Sequence, residues 1–371
     1  MPISVLGIQP RYFVRPNNTD WRHNFFLEKS FTERSASHGS RVFFSLRRSL
    51  TACIAMNARH LRRQLGGRIP IVGPNLRQVS YFVKMLRSDR RTNFDVLYSY
   101  GCYPLNTDRP IVWHTGPTDV ELLSGHGVSS KEIEREQDSK ATCADHAKLI
   151  AVSSDQALLD FDKQFPGHRN KIIVLPFVIP NVIEVSELDI SAKHSEKLLN
   201  ILFVGREAKR KGLDLVLAAF ERLNGRSKRP LTLTIVSDLS GGHIHIPSSP
   251  NVIWHRCLDH AAVQQLMRSA HILAMPSREE SYGLVYLEAM AAGAVPIAPA
   301  REPQISLLAG GRCGVLCDVS VEGVFDALEA LVSNDQTRQK LATNGARKYN
   351  SSFSKDGVMT RYENAFIRAA S

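Results

Sequence analysis

The sequence predicts an α/β protein made of two doubly wound, parallel-sheet domains in tandem. Three observations carry that prediction. The chain has 371 residues, a length that suits two domains. Short apolar, strand-like runs alternate with segments of helical spacing, and the alternation restarts after a polar interruption at 184–197. Glycine-bearing loops follow strand-like runs at 205–212 and 276–283, where open parallel sheets bind ligands.

Taken in order, Ile3–Gln9 reads as the first strand, followed by a Pro-, Asn- and Arg-rich loop to Asp20. Phe25, Phe26, Phe31 and Ala36 give residues 21–38 helical spacing, and Arg41–Ser45 reads as a second strand. Leu46–Leu65 reads as a basic helix, with Leu46, Leu50, Ile54, Leu61 and Leu65 on one face. Such a helix either meets anionic lipid or an acidic acceptor, or packs on the sheet as an ordinary surface helix. Strands are expected at 95–99, 110–114, 147–153 and 171–176, with a helix over 156–165 capped by Ser154 and Asp155. The first domain then spans 1–182 and a linker 183–198.

The second domain, 199–350, restarts with a strand at 199–205 and a helix at 213–223. Strands at 230–237 and 252–255, a helix at 261–269 and a strand at 271–276 follow. The next helix begins at Gly283 or Leu284 and is stopped by Gly293 and Pro296. A strand at 295–298 and helices at 321–332, 337–349 and 355–370 complete the chain.

Composition narrows the function. With 43% hydrophobic and 22% charged residues the chain is globular. No apolar run approaches the length of a membrane-spanning helix, and the start MPISVLGIQPRYF lacks the pattern of a secretory signal. The cysteines at 53, 102, 143, 257, 313 and 317 have neither disulfide nor zinc spacing, so they read as thiols of a reducing, cytoplasmic setting. Residues 1–100 hold 17 Lys and Arg against 5 Asp and Glu, a net of +12 against +11 for the whole chain. That asymmetry points to an anionic partner, such as a membrane surface, a phosphorylated acceptor or nucleic acid, unless it serves solubility alone. Nothing beyond charge suggests nucleic acid, and none is expected.

Three stretches carry candidate chemistry. In Gly205–Gly212, Arg206 and Lys211 could straddle a diphosphate while Gly205 admits close backbone approach; a solvated charge run is the alternative. The spacing is not that of a Walker loop. In Met275–Pro296, the amides of Ser281, Tyr282, Gly283 and Leu284 would be the open donors of a helix start, suited to phosphate. Glu280 and Glu288 bracket that start, either as surface charges or as acceptors for sugar and ribose hydroxyls. His114 ends a first-domain strand, either as a structural residue or as a group that bonds a substrate hydroxyl or moves a proton. His243 and His245 lack a third ligand, so no metal site is expected there or elsewhere.

The motifs G-R-x4-K-G at 205–212 and P-S-x2-E-S-Y-G-x4-E-A-M-A-x-G-x2-P at 276–296 resemble those of the family 4 retaining glycosyltransferases. The resemblance is specific over 199–318 and softer over 94–182. It implies the GT-B architecture, two doubly wound Rossmann-like domains facing across a cleft, with the donor in the second domain and the acceptor in the first. The final helix, 355–371, would cross back to the first domain. It implies transfer of a sugar from a nucleotide diphosphate sugar to an acceptor hydroxyl with retention and without a metal or other cofactor. Residue by residue, Arg206 and Lys211 match the pair that neutralises the diphosphate. Glu280 matches the carboxylate on the sugar, and Glu288 the one on the ribose. Gly205 and the loop Ser281, Tyr282, Gly283, Leu284 and Val285 match donor-binding positions. His114 matches a histidine near the donor sugar. Two positions depart from the family's pattern: the loop 9–20 has no glycine pair, and Ser237 stands where glycine is common. The acceptor would be a glycan, a lipid-linked or an acidic molecule, with work at the inner membrane face in glycan, polysaccharide or glycolipid synthesis. A nucleotide-sugar epimerase, or a non-catalytic sugar- or lipid-binding protein, are the alternatives on the same fold.

Overall fold

The structure, a computed structural model, describes residues 3–10, 42–49, 95–100, 109–116, 128–179, 181–240, 243–280 and 282–371. The chain divides into two compact units, Met1–Val178 with Lys355–Ser371, and Ile179–Ser354. The helix expected over 21–38 and the loop 11–20 lie outside the described residues. Among the described residues no helix is long and apolar enough to cross a membrane.

The first unit holds β1 (Ile3–Pro10), β2 (Val42–Ser49), β3 (Val96–Tyr100), β4 (Ile111–His114), β5 (Leu149–Val152) and β6 (Ile172–Val174). All pair in parallel in the order β2-β1-β3-β4-β5-β6. Strands β4 and β5 are buried throughout, as parallel strands covered on both faces must be. Alternate residues serve opposite layers. Tyr98, Val112, Leu149 and Ala151 face one core with the final helix, while Leu97, Ile111, Trp113 and Ile150 face another with Phe161 and Phe165.

The second layer is built by α1 (Ser130–His146) and α2 (Asp155–Gln164). Helix α1 was not anticipated, because few of its residues are apolar; Ile133, Cys143, Ala144 and the stem of Lys140 are its buried face. Its start was nonetheless encoded in Ser129 and Glu132, which form a reciprocal capping box. The first layer is closed by the C-terminal helix α10 (Lys355–Ala370), through Val358, Met359, Tyr362, Ala365, Phe366 and Ala369. That stripe has helical spacing, and each large side chain in it contributes about 1.5–3 kcal/mol by leaving water.

Two expectations are corrected here. Strand β2 pairs with β1 along its whole length, from Ile3↔Val42 to Pro10↔Ser49. Leu46–Ser49 are therefore strand rather than the start of a basic helix; the remainder of that helix, from Leu50, lies outside the described residues. The segment 183–198 is not an open linker. It carries α3 (Glu187–His194), capped reciprocally by Ser186 and Asp189, with Ile190 and His194 buried in the second unit. The chain passes between units at Val178–Ile179 instead.

The second unit contains β7 (Leu199–Val204), α4 (Leu213–Asn224), β8 (Leu231–Val236), β9 (Val252–His255), α5 (His260–Ser269), β10 (Ile272–Ala274), α6 (Leu284–Ala291) and β11 (Val295–Pro299). It continues with α7 (Gln304–Leu307), β12 (Val315–Cys317), α8 (Val321–Ser333) and α9 (Asp335–Ser352). Its sheet is parallel in the order β12-β11-β10-β7-β8-β9. The chain winds outward from β7 through β8 to β9, then returns to place β10 on the other side of β7. The reversal sits between β7 and β10, so the loops leaving these two neighbours open at the switch point where doubly wound sheets bind ligands.

Candidate functional site

The loop after β7 runs from Gly205 to Gly212. A side chain at Gly205 would stand 3.0 Å from the Cγ of Lys211, so glycine lets the Lys211 stem lie against the backbone. Gly212 has φ 81° and begins α4; an added Cβ would lie 2.4 Å from the Pro276 carbonyl oxygen. The loop after β10 can approach only because both conditions favour glycine there.

Several contacts tie the loop after β10 to the loop after β7 and the start of α4. The Arg278 amide donates to the Arg210 carbonyl at 2.7 Å, and Arg210 returns a bond to the Glu279 carbonyl at 2.7 Å. Arg278 also grips Asp214 through two bonds of 2.8 Å. Another contact joins two predicted residues, the Lys211 ammonium to the Glu280 carboxylate. Those side chains are 13% and 11% exposed, so the pair sits at the mouth of the loops rather than in bulk water. Arg206 is different: 45% exposed, it lies 3.8 Å from Asp238 at the end of β8 and stays open to an anion. Sequence reasoning missed Arg210, Arg278 and Asp214, whose partners lie more than 60 residues away in the chain.

Gly283 precedes α6 with φ 91°, and a Cβ there would meet the Tyr286 ring at 2.4 Å. Tyr286 is buried and donates from its hydroxyl to the Met275 carbonyl at 2.8 Å, fastening the first turn of the helix to the end of β10. Burial and the Glu280 charge push its phenol well above the usual range, so it remains a donor. Tyr282 is buried and its carbonyl accepts from Gln304 at 3.4 Å; the other amide atom of Gln304, an oxygen, has no partner among the described residues. Arg301 donates to the Ser277 carbonyl, so residues 301–304 brace the site loop at both ends. Neither α4 nor α6 has a side-chain cap, whereas Ser129, Ser154, Ser186, Asp259, Ser320 and Asn334 cap six other helices. At the start of α6 the amides of Leu284 and Val285 have no intrahelical acceptor and suit an anion, whereas at the start of α4 the Leu213 amide donates to the Ala208 carbonyl at 2.9 Å. Ser281 lies outside the described residues.

Glu288, one turn into α6, is 14% exposed and receives His260 Nε2 at 3.4 Å. Four predicted residues, Arg206, Lys211, Glu280 and Glu288, thus belong to two adjacent strand-to-helix connections of one sheet. Together they offer two cations and two carboxylates beside the β7/β10 switch point.

His114 is placed otherwise. Its imidazole is fully buried in the first unit, with Tyr98 and Tyr362 hydroxyls 2.7 and 3.3 Å from Nδ1 and the Ser153 hydroxyl 3.2 Å from Nε2. It stacks on Phe177 with ring centroids 5.7 Å apart. Both ring nitrogens are engaged by hydroxyl groups of the first unit. The sequence showed the strand end but not Tyr362, which arrives from α10. Next to it, Lys140 of α1 donates to the Gly116 carbonyl at 3.0 Å and holds the turn after β4; burial lowers its pKa against the raising effect of Glu136.

His243 and His245 are exposed and form no cluster; among the described residues no group of three or more His, Cys, Asp or Glu is placed to hold a metal ion.

Comparison with known proteins agrees with this geometry. Residues 186–348 match the family model of the glycosyl transferases group 1. Over that stretch the chain is similar to the group 1 glycosyl transferases. A D-inositol 3-phosphate glycosyltransferase of Corynebacterium aurimucosum is 27% identical over 290 residues, 71% of this chain and 67% of the relative. One from Xylanimonas cellulosilytica is 33% identical over 188 residues, 46% of this chain and 42% of its own. The chain spans 60–67% of the length of the first such relatives. Among solved structures, sucrose-phosphate synthase from Thermosynechococcus elongatus superposes with a TM-score of 0.68 at 15% identity, covering 100% of both chains. WaaG, a glycosyltransferase of lipopolysaccharide biosynthesis, gives 0.63 at 17%, covering 98% of this chain and 99% of its own. These likenesses establish the GT-B fold, two Rossmann-like domains, for this chain.

Proposed function

We propose that this glycosyltransferase moves a sugar from a nucleotide diphosphate sugar to a hydroxyl of an anionic acceptor, with retention of the anomeric configuration and without a metal ion. The observation that carries the reading is the convergence of Arg206, Lys211, Glu280 and the uncapped start of α6 at the β7/β10 switch point. Cleaving the anomeric carbon–oxygen bond leaves an oxocarbenium-like centre and increases charge on the diphosphate. Two cations and open helix amides stabilise that charge as it develops. The new carbon–oxygen bond forms on the face that the phosphate leaves, and the acceptor proton passes to the departing phosphate oxygen. Glu280 accepts hydroxyls of the sugar and Glu288 those of the ribose.

In the ligand-free chain Lys211 is neutralised by Glu280. The donor replaces that contact, placing phosphate on Lys211 and hydroxyls on Glu280. The donor class is supported by a relative of this fold solved with UDP-glucose, HepE of Anabaena, at a TM-score of 0.60. The acceptor class is supported by two facts: the curated relatives are named for a phosphorylated polyol, and the first 100 residues of this chain carry a net of +12. A lipid-linked acceptor at the cytoplasmic face of a membrane fits the same charge, and liposome co-sedimentation with and without anionic lipid separates the two.

The test is product analysis. The full chain is incubated with UDP-, GDP- and ADP-sugars and a panel of phosphorylated polyols, and the anomeric configuration of the product is read by NMR. Retention supports the reading; inversion, epimerised donor without transfer, or no turnover of any nucleotide sugar contradicts it.

A further inference from the structure

Glu288 stands on a helix of small and apolar residues, flanked by the buried Leu287, Ala289, Met290 and Ala291. A carboxylate offers about four acceptor positions. Among the described residues this one has a single partner, the His260 imidazole at 3.4 Å from Oε1. Oε2 is left for something else.

The histidine cannot drift with a ligand, because its helix is anchored. Asp259 caps α5 by accepting the Ala262 amide at 2.8 Å, and Val263 and Met267 are buried. One turn beyond His260, Gln264 is buried, and its Oε1 accepts the Ile183 amide at 3.2 Å. His260 itself is 32% exposed, so it borders the site without being sealed behind it. The pairing is a side-chain contact between α5 and α6. It joins two helices at one oxygen of a carboxylate whose other oxygen has no hydrogen-bond partner among the described residues.

We propose that His260 is a positioning residue for the nucleoside end of the donor. By donating from Nε2 to one oxygen of Glu288 it fixes the carboxylate rotamer and turns the second oxygen to a vicinal diol, the ribose 2′ and 3′ hydroxyls. No bond is made or broken at His260; its contribution is orientation. The inference rests on the nucleotide-sugar reading above.

The experiment measures the affinity of the full chain for UDP, GDP and ADP and for their 2′,3′-dideoxy counterparts, in the wild type, His260→Ala and His260→Gln. The account expects His260→Ala to weaken the ribonucleotide by about tenfold, the size of one hydrogen bond to a charged group. It should leave the dideoxy form within about twofold. In turnover, the donor KM rises while kcat holds. His260→Gln, which keeps an amide donor, restores most of the loss. A merely structural role would weaken both nucleotides alike, and that result overturns the inference. So does a wild-type affinity in His260→Ala. A wild type that binds no nucleoside diphosphate overturns the nucleotide-sugar reading and this inference together.

Discussion

The two ends of helix α6 are built to opposite rules. Its amino end starts at a left-handed glycine with no side-chain cap, and the charges beside it, Lys211 with Glu280 and Arg206 with Asp238, are partly open pairs that a ligand can exchange. At its carboxyl end each of the carbonyls from Ala289 to Gly293 accepts a hydrogen bond. Lys193 donates to the Ala292 carbonyl at 2.8 Å, His194 to the Gly293 carbonyl at 2.9 Å, and Arg338 to His194 Nδ1 at 3.1 Å. Arg338 also bonds Leu331, the His194 carbonyl and Asp335, with none of its surface exposed. His271 adds a bond to the Lys193 carbonyl at 2.8 Å. Polar groups closed on each other hold a fold; polar groups left incomplete hold a ligand. Substitutions at the two ends should therefore separate function from stability.

The largest effect is expected for Glu280→Ala. Transfer falls about 100- to 1,000-fold while the melting temperature barely moves. Binding of free nucleoside diphosphate is kept or tightened, since Lys211 loses its competing carboxylate; calorimetry reads this directly. Loss of nucleotide binding would place Glu280 on the phosphate instead of the sugar. Next comes Arg338→Met at the closed end. Stranding His194, Leu331 and Asp335 should cost about 3–5 kcal/mol in urea unfolding, with nucleotide affinity of the folded protein unchanged. A variant as stable as the wild type would remove the distinction between the ends.

A pH effect is expected at the closed end. Burial, outweighing the backbone bond each makes, lowers His194 to about 3 and His271 to about 4. Both histidines bind protons more readily in the unfolded chain, whose histidines titrate near 6.5. Acid therefore favours unfolding as pH falls below about 6.5 toward 4, and stability is recovered above that window. Melting curves at stepped pH check the sign, and replacing His271 with Gln should flatten the slope. The smallest effect is expected for Gln304→Leu. It removes one long bond to Tyr282 but also an unpaired buried oxygen, so stability should change by less than about 1 kcal/mol. The site loop loses a brace, and donor KM should rise a few-fold without a fall in kcat.

What could be read from the sequence followed from how local each feature was. Gly205, Gly212 and Gly283 mark strand-to-helix turns that short segments encode on their own, and the structure gives each its turn. Most strands of both sheets were visible as apolar runs because parallel strands are buried on both faces. Helix α3 was read as a linker because its fixing contacts, to Gly293 and Arg338, come from 99 and 144 residues away. The laced pairs Arg278–Asp214 and Arg210–Glu279, the His260–Glu288 contact and the sealing of His114 by Tyr362 are equally remote, and no window of sequence contains both partners.

The most direct test of the account is the affinity of Lys211→Met for nucleotide diphosphate sugars, measured by calorimetry beside the wild type and Arg338→Met. The account predicts that Lys211→Met loses at least about tenfold in affinity, as removal of a charged partner requires. Folded Arg338→Met should bind as the wild type does. Equal binding by Lys211→Met and the wild type would contradict the assignment of the β7/β10 switch point as the donor diphosphate site.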